Sequence, residues 1–178
     1  LLHPLVRGLI LDMDGVLWRG SEPIGDLRSI FSQINCLGIT TVFATNNSSL
    51  SATSYQQKLA GFGVKVRTDQ IITSGIAVAM YLKENFTPSS TVYVIGEEGL
   101  RQSILEAGFN ISIKGACAVV VGLDRELSFE KLREATLLIR AGAAFIGTNP
   151  DRTYPSPEGL TPGAGSIIAA IEAATDIQ

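Results

Sequence analysis

Two short clusters carry side chains able to do chemistry. The first is Asp12-Met13-Asp14-Gly15, at the end of the apolar run LVRGLIL at residues 5–11. Side chains two residues apart on an extended strand point the same way, so a strand tip that stays extended projects Asp12 and Asp14 together. Two carboxylates brought close repel, and either one gains a proton or both share a cation. With Mg²⁺, one ionised carboxylate can attack an electrophile while its protonated neighbour gives a proton to the leaving group. The apolar run in front predicts poorly solvated charges. Against that stands a plain turn with two solvated acids, since Asp-Gly pairs are common in turns. The second cluster is Thr45-Asn46-Asn47-Ser48-Ser49, after the β-branched and aromatic residues 40–44. Its hydroxyls and carboxamides, with the first N–H groups of a following helix, offer neutral donors to an anion; the same residues also make ordinary helix caps. With two aspartates one strand away, a phosphate site is the better account.

Other chemistries are excluded by subtraction. The 178 residues include one histidine, His3, beside a proline at the start of the chain. Multi-histidine zinc sites and Ser–His or Cys–His nucleophiles would all depend on that ring. Cys36 and Cys117 lack CxxC spacing and read as buried free thiols of a cytosolic protein. Fourteen Lys+Arg against 17 Asp+Glu leave a net charge of −3 with no basic cluster, so nucleic acid is not an expected partner. No apolar run approaches the roughly 20 residues of a membrane span, and no leader is visible. The expectation is a soluble cytoplasmic protein. With 46% hydrophobic and 17% charged residues, disorder is excluded.

The elements that must position these clusters alternate. Strands are expected at residues 5–11, 40–44, 91–95, 116–121 and 143–147. Helices are expected at 24–37, 51–60, 74–85, 98–107, 128–140 and 164–174, with a Pro- and Gly-bearing loop over 149–163. Such alternation predicts an α/β fold with a parallel sheet covered by helices. The stretches KLAGFGVKV and ILEAGFNISI are alike, each reading as a helix, a glycine cap and an edge strand. A boundary near residues 72–74 separates a first unit rich in polar strand ends from a second α/β series.

LDMDGVLW at residues 11–18 resembles the first signature of the haloacid dehalogenase superfamily, and TNNSS at 45–49 resembles its second. The combination is similar to the p-nitrophenyl phosphatase and NagD-like branch, whose large α/β cap ends in a stretch like residues 148–172. The resemblance implies a Rossmann-like parallel-sheet core, incomplete here, over residues 1–72, and an inserted cap domain over 73–178. It implies a Mg²⁺-dependent phosphatase acting on small phosphorylated metabolites. Asp12 would be the nucleophile that forms an aspartyl-phosphate, and Asp14 the acid and later the base. The metal would sit on the Asp12 carboxylate and the Asp14 carbonyl. Thr45 would hold a phosphoryl oxygen, with Asn46 and Asn47 beside it, and Tyr154 would contact the substrate unless it is simply a packed loop aromatic. A homo-oligomer is compatible with all of this.

The family's third signature, a lysine between glycine and proline, and its late acidic stretch have no counterpart. None of Lys58, Lys65, Lys83, Lys114 or Lys131 follows a glycine or precedes a proline. This stretch is therefore expected to be part of a phosphatase with little or no turnover by itself, its opening strand left as a hydrophobic edge. A phosphomutase would share both acids, whereas a dehalogenase has no leaving alkoxide for Asp14 to protonate. A non-catalytic nucleotide- or phosphate-binding module is the other reading. Gly163-Ala164-Gly165 precedes a helix, but Ile168 occupies the position of the last glycine in G-x-G-x-x-G.

Overall fold

The structure, a computed structural model, describes residues 6–156 and 158–177. The expectations placed on His3, and on Leu5 as the start of the opening strand, lie outside them. The chain divides into two compact units, one made of Leu1–Thr45 with Ala52–Thr73, the other of Asn46–Ser51 with Ser74–Gln178.

The described part of the first unit runs β1 (Gly8–Asp12), β2 (Trp18–Arg19), β3 (Glu22–Pro23), α1 (Leu27–Cys36), β4 (Thr40–Thr45), α2 (Ala52–Gly61) and β5 (Ile71–Thr73). Its main sheet is parallel in the order β1-β4-β5, with Asp12 opposite Ala44 and Thr45 opposite Thr73. One face is covered: Phe43 and Ile71 pack with Leu27 and Phe31 of α1 and with Tyr55 and Leu59 of α2. On the other face, among the described residues, Ile10 is 79% exposed and Val42, Ala44 and Ile72 are half-buried. The expected buried strand is thus an edge strand whose residues alternate between half-buried and exposed. Helix α1 starts three residues later than its apolar spacing suggests. Residues 18–23 form a small antiparallel hairpin, the Ile24 amide bonds the Leu17 carbonyl, and Asp26 caps the helix by accepting from the Ser29 amide. The stretch after Gly63 is not a strand. Val64 turns into the core, and the chain passes through a 3₁₀ turn at Thr68–Gln70 into β5.

The second unit contains α3 (Ser74–Asn85), β6 (Thr91–Ile95), α4 (Glu98–Glu106), β7 (Asn110–Ile111), β8 (Ala116–Val121), α5 (Phe129–Arg140), β9 (Ala144–Gly147), β10 (Thr153–Ser156), β11 (Gly159–Pro162) and α6 (Ala164–Thr175). Four parallel strands lie in the order β7-β6-β8-β9, and β7 is the edge strand expected after Gly108. Both faces are covered. Val92, Val94, Ala118 and Val120 pack with residues of α3 and α4, while Ile95, Val119 and Val121 pack with residues of α5 and α6. Cover on both sides is why β8 is a continuous apolar run rather than an alternating one. Where a loop was expected, β10 and β11 form an antiparallel ribbon with Tyr154 opposite Thr161. Its prolines are tolerated because a two-stranded ribbon consists of edges. The segment Asn46–Ser51 is strapped to this unit: the Gly99 amide donates to the Ser49 carbonyl at 3.1 Å, and Ser74 Oγ and Asn149 Nδ2 donate to the Asn46 carbonyl at 2.6 and 2.9 Å. The thiols are not buried as expected: Cys36, last in α1, is exposed, and Cys117 is half-buried.

Candidate active site

Strand β1 ends at Asp12, whose Oδ1 accepts from the Met13 amide at 2.7 Å. The chain then turns tightly, with the Leu17 amide on the Met13 carbonyl at 2.9 Å and the Gly15 amide on the Trp18 carbonyl at 2.8 Å. Gly15 has φ +83°, a conformation that favours glycine. Met13 is fully buried, and Asp12 and Asp14 on either side of it are exposed. The i, i+2 alternation therefore persists past the strand end. The expected poor solvation does not: the two acids stand beyond the last core residue, at the rim of an edge strand.

The Asp14 carboxyl meets the side chains of Trp18, Thr45 and Tyr55. Its Oδ1 accepts from Trp18 Nε1 at 2.7 Å. Its Oδ2 lies 3.4 Å from the donor Thr45 Oγ1 and 3.5 Å from the Tyr55 hydroxyl, so Thr45, at the end of β4, meets Asp14 across two strand ends. Burial, followed by the negative charges of Asp14 and Asp12, pushes the Tyr55 phenol far above its ordinary value. Tyr55 therefore keeps its proton and feels both carboxylates. Trp18 and Tyr55 were missed in the sequence. The available signal was the spacing of Tyr55, Lys58 and Leu59, which share a face of α2, together with Phe62 just beyond its end and Trp18 four residues after Asp14. Lys58 Nζ sits 4.3 Å over the Trp18 ring and donates to the Gly20 carbonyl at 3.0 Å. Partial burial lowers its pKa, against the pull of Asp14.

The remaining expected residues belong to the second unit. Asn46 Nδ2 donates to Asp151 at 3.1 Å, and Asn47 Oδ1 accepts from the Ser49 amide at 2.8 Å. Tyr154 accepts from Arg125 Nε at 3.1 Å, and the same guanidinium holds both carboxylate oxygens of Glu97 at 2.7 and 2.8 Å. Gly163-Ala164-Gly165 opens α6 directly after the antiparallel ribbon, so the strand-to-helix turn of a dinucleotide site is not formed there.

Among the described residues, no three His, Cys, Asp or Glu side chains cluster as a metal cage. Asp12 and Asp14 are accessible, hard oxygen donors at one strand end. That fits Mg²⁺, which binds through one or two carboxylates and keeps water and substrate phosphate as its other ligands. Chemically, the first unit offers two carboxylates at one strand end, one of them held by the Trp18 indole, with the Thr45 hydroxyl at the end of the neighbouring strand.

The profile of the haloacid dehalogenase-like hydrolases matches residues 9–110. The 5'-nucleotidase YutF of Bacillus subtilis is 37% identical over 172 residues, 97% of this chain and 67% of the relative. The crystal structure of 4-nitrophenylphosphatase from Thermotoga maritima has a TM-score of 0.92 at 35% identity, covering 99% of this chain and 68% of that one. The glycerol phosphate phosphatase of Mycobacterium tuberculosis, in complex with magnesium, has a TM-score of 0.88 at 33% identity, covering 96% of this chain and 52% of that one. The chain therefore spans between about half and two thirds of the length of these relatives. Two acids at the end of a parallel strand, a hydroxyl on its neighbour and these matches lead to one assignment: the chain belongs to the haloacid dehalogenase-like hydrolases.

Proposed function

We propose that this protein is a Mg²⁺-dependent phosphatase of small phosphate monoesters that works through a phosphorylated Asp12. The observation that carries the reading is the placement of Asp12 and Thr45 at the ends of paired parallel strands, with the Asp14 carboxylate held between Trp18 and Thr45. An Asp12 oxygen bonds to phosphorus as the ester P–O bond breaks, and Asp14 gives its proton to the departing oxygen. Asp14 then takes a proton from water, whose oxygen bonds to phosphorus as the P–O bond to Asp12 breaks. This frees inorganic phosphate and restores both acids. Thr45 Oγ1 donates to a phosphoryl oxygen. The Asp12 carboxylate and the Asp14 carbonyl would hold Mg²⁺, which when bound would supply charge neutralisation for the attack of one anion on another.

Asn46 and Asn47 are assigned to the phosphate and Tyr154 to the organic half of the ester. Residues 1–72 are assigned to the catalytic core and 73–178 to the domain that selects the ester. The names of the relatives support the substrate class, since a 5'-nucleotidase, an aryl phosphatase and a glycerol phosphate phosphatase share only the phosphate monoester. Residues 1–178 alone are proposed to turn over weakly, because none of their lysines stands in a Gly-Lys-Pro setting. The test is p-nitrophenyl phosphate hydrolysis by the full-length protein. Activity that needs Mg²⁺ and falls to background in Asp12→Asn supports the reading, and activity that survives Asp12→Asn overturns it.

A further inference from the structure

Trp18 is the only tryptophan in the chain, and it is 0% exposed. Three side chains hold its ring. Tyr55 stacks on it at 6.2 Å with 21° between planes, Phe62 lies 5.8 Å away, and the Lys58 ammonium sits 4.3 Å from the ring centre. The ring cannot turn without opening the core. A buried indole N–H ordinarily has a hydrogen-bond partner, and here that partner is the carboxylate of an exposed residue, Asp14, at 2.7 Å. At 2.7 Å it is the shortest of the three side-chain contacts to this carboxyl, the two to Oδ2 being 3.4 and 3.5 Å long, so it is the contact that sets the carboxyl's orientation.

The bond distinguishes the two oxygens of Asp14. The indole N–H can only donate, so a proton on Oδ1 would meet it donor against donor, whereas the hydroxyls beside Oδ2 can rotate to accept; a carboxyl proton therefore belongs on Oδ2. That oxygen is the one beside Thr45 Oγ1 and Tyr55. We infer that Trp18 is a positioning residue for Asp14, its buried indole N–H fixing the carboxyl so that Oδ2 alone exchanges the proton with the ester oxygen and with water. This rests on the phosphatase reading through the role it gives Asp14.

The test compares two esters in the full-length protein. p-Nitrophenolate leaves without needing a proton, whereas the alkoxide of glycerol phosphate needs one. The ratio kcat/KM covers only the steps through departure of the leaving group, so it isolates the acid. General-acid catalysis contributes about 10²- to 10⁴-fold, and a misoriented acid forfeits part of that. Trp18→Phe keeps the ring and deletes the N–H. We expect it to lower kcat/KM for glycerol phosphate by about tenfold or more and to leave p-nitrophenyl phosphate nearly unchanged. Equal losses on both esters, or no loss on either, overturn the inference. Asp14→Asn must show the same selectivity, more strongly. If it does not, the role of Asp14 itself fails and the inference falls with it; if it does and Trp18→Phe does not, only the inference falls. A second measurement does not depend on activity. The Trp18 indole N–H resonance, assigned by its loss in Trp18→Phe, should exchange slowly and should move and lose protection in Asp14→Ala, and an unchanged resonance overturns the inference.

Discussion

Replacing Gly99 with alanine tests the strap that carries Asn46 and Asn47. A Cβ built on Gly99 would lie 2.4 Å from the Leu50 carbonyl carbon, 2.5 Å from its oxygen and 2.7 Å from its nitrogen, where ordinary contact begins at 3.4 Å. The difference, 3.4 − 2.4 = 1.0 Å, must come from backbone, because every atom met is backbone. Overpacking of this kind costs about 1–3 kcal/mol. Losing the Gly99 amide bond to the Ser49 carbonyl adds about 1 kcal/mol. Gly99→Ala should therefore destabilise by roughly 2–4 kcal/mol, a large part of the 5–15 kcal/mol typical of a folded domain. The same chemical change at Gly61, the last residue of α2, meets nothing within 4 Å; it should be neutral or stabilise by up to about 1 kcal/mol through helix propensity. Urea unfolding followed by circular dichroism measures both. A Gly99→Ala midpoint equal to that of the wild type would refute the close approach. Opposite signs for the two alanines would support it.

Tyr55, whose phenol is raised in the folded state by burial and by Asp14 and Asp12, binds its proton more tightly folded than unfolded. Its share of stability is complete below about pH 10 and is lost as pH rises beyond that, so Tyr55→Phe should lose less stability than the wild type between neutral and strongly alkaline pH, as read from urea midpoints; parallel losses would contradict this. The Asp124 side chain is only 5% exposed, and its carboxylate meets Lys131 Nζ at 2.7 Å and the Glu126 amide at 2.9 Å. Asp124→Asn should cost about 2 kcal/mol, less than a fully buried pair because Lys131 reaches solvent; a cost below about 0.5 kcal/mol would place the pair among ordinary surface contacts. Ile10 stands exposed on edge strand β1, so Ile10→Lys should reduce self-association of residues 1–178 in sedimentation velocity, and an unchanged distribution would show that this edge is not the contact.

What could be read in the sequence followed length and periodicity. Helix α3 and strands β6 and β8 have the predicted bounds, because Gly96 and Gly122 close the two apolar strand runs and Pro88 stops the chain soon after α3. Strand β5, with three residues, is too short to show any period, and only pairing to a longer neighbour makes it a strand, whereas the two-residue β7 was signalled by the glycine cap before it. The β10–β11 ribbon was hidden by Pro155, Gly159 and Pro162, which read as loop. Asp12, Asp14 and Thr45 were visible as chemistry at strand ends. The inward-facing partners of Asp14 were not, because Trp18 and Tyr55 look like core residues, and only the fold shows that their polar tips converge on one carboxylate. The solvation of the two acids was misjudged for a related reason: an apolar run does not reveal whether one face of its sheet is covered or both.

The most direct measurement of the central claim is a covalent one. The full-length protein, incubated with a phosphate monoester and Mg²⁺ and quenched with borohydride, should have Asp12 reduced at its carboxyl carbon, because an acyl phosphate is reducible and a free carboxylate is not. Mass spectrometry of the peptide containing residues 11–18 should find the change on Asp12, dependent on substrate and absent in Asp12→Asn. Turnover with no modified Asp12 at any quench time, or modification at Asp14 instead, would contradict the assignment of nucleophile and acid on which the account is built.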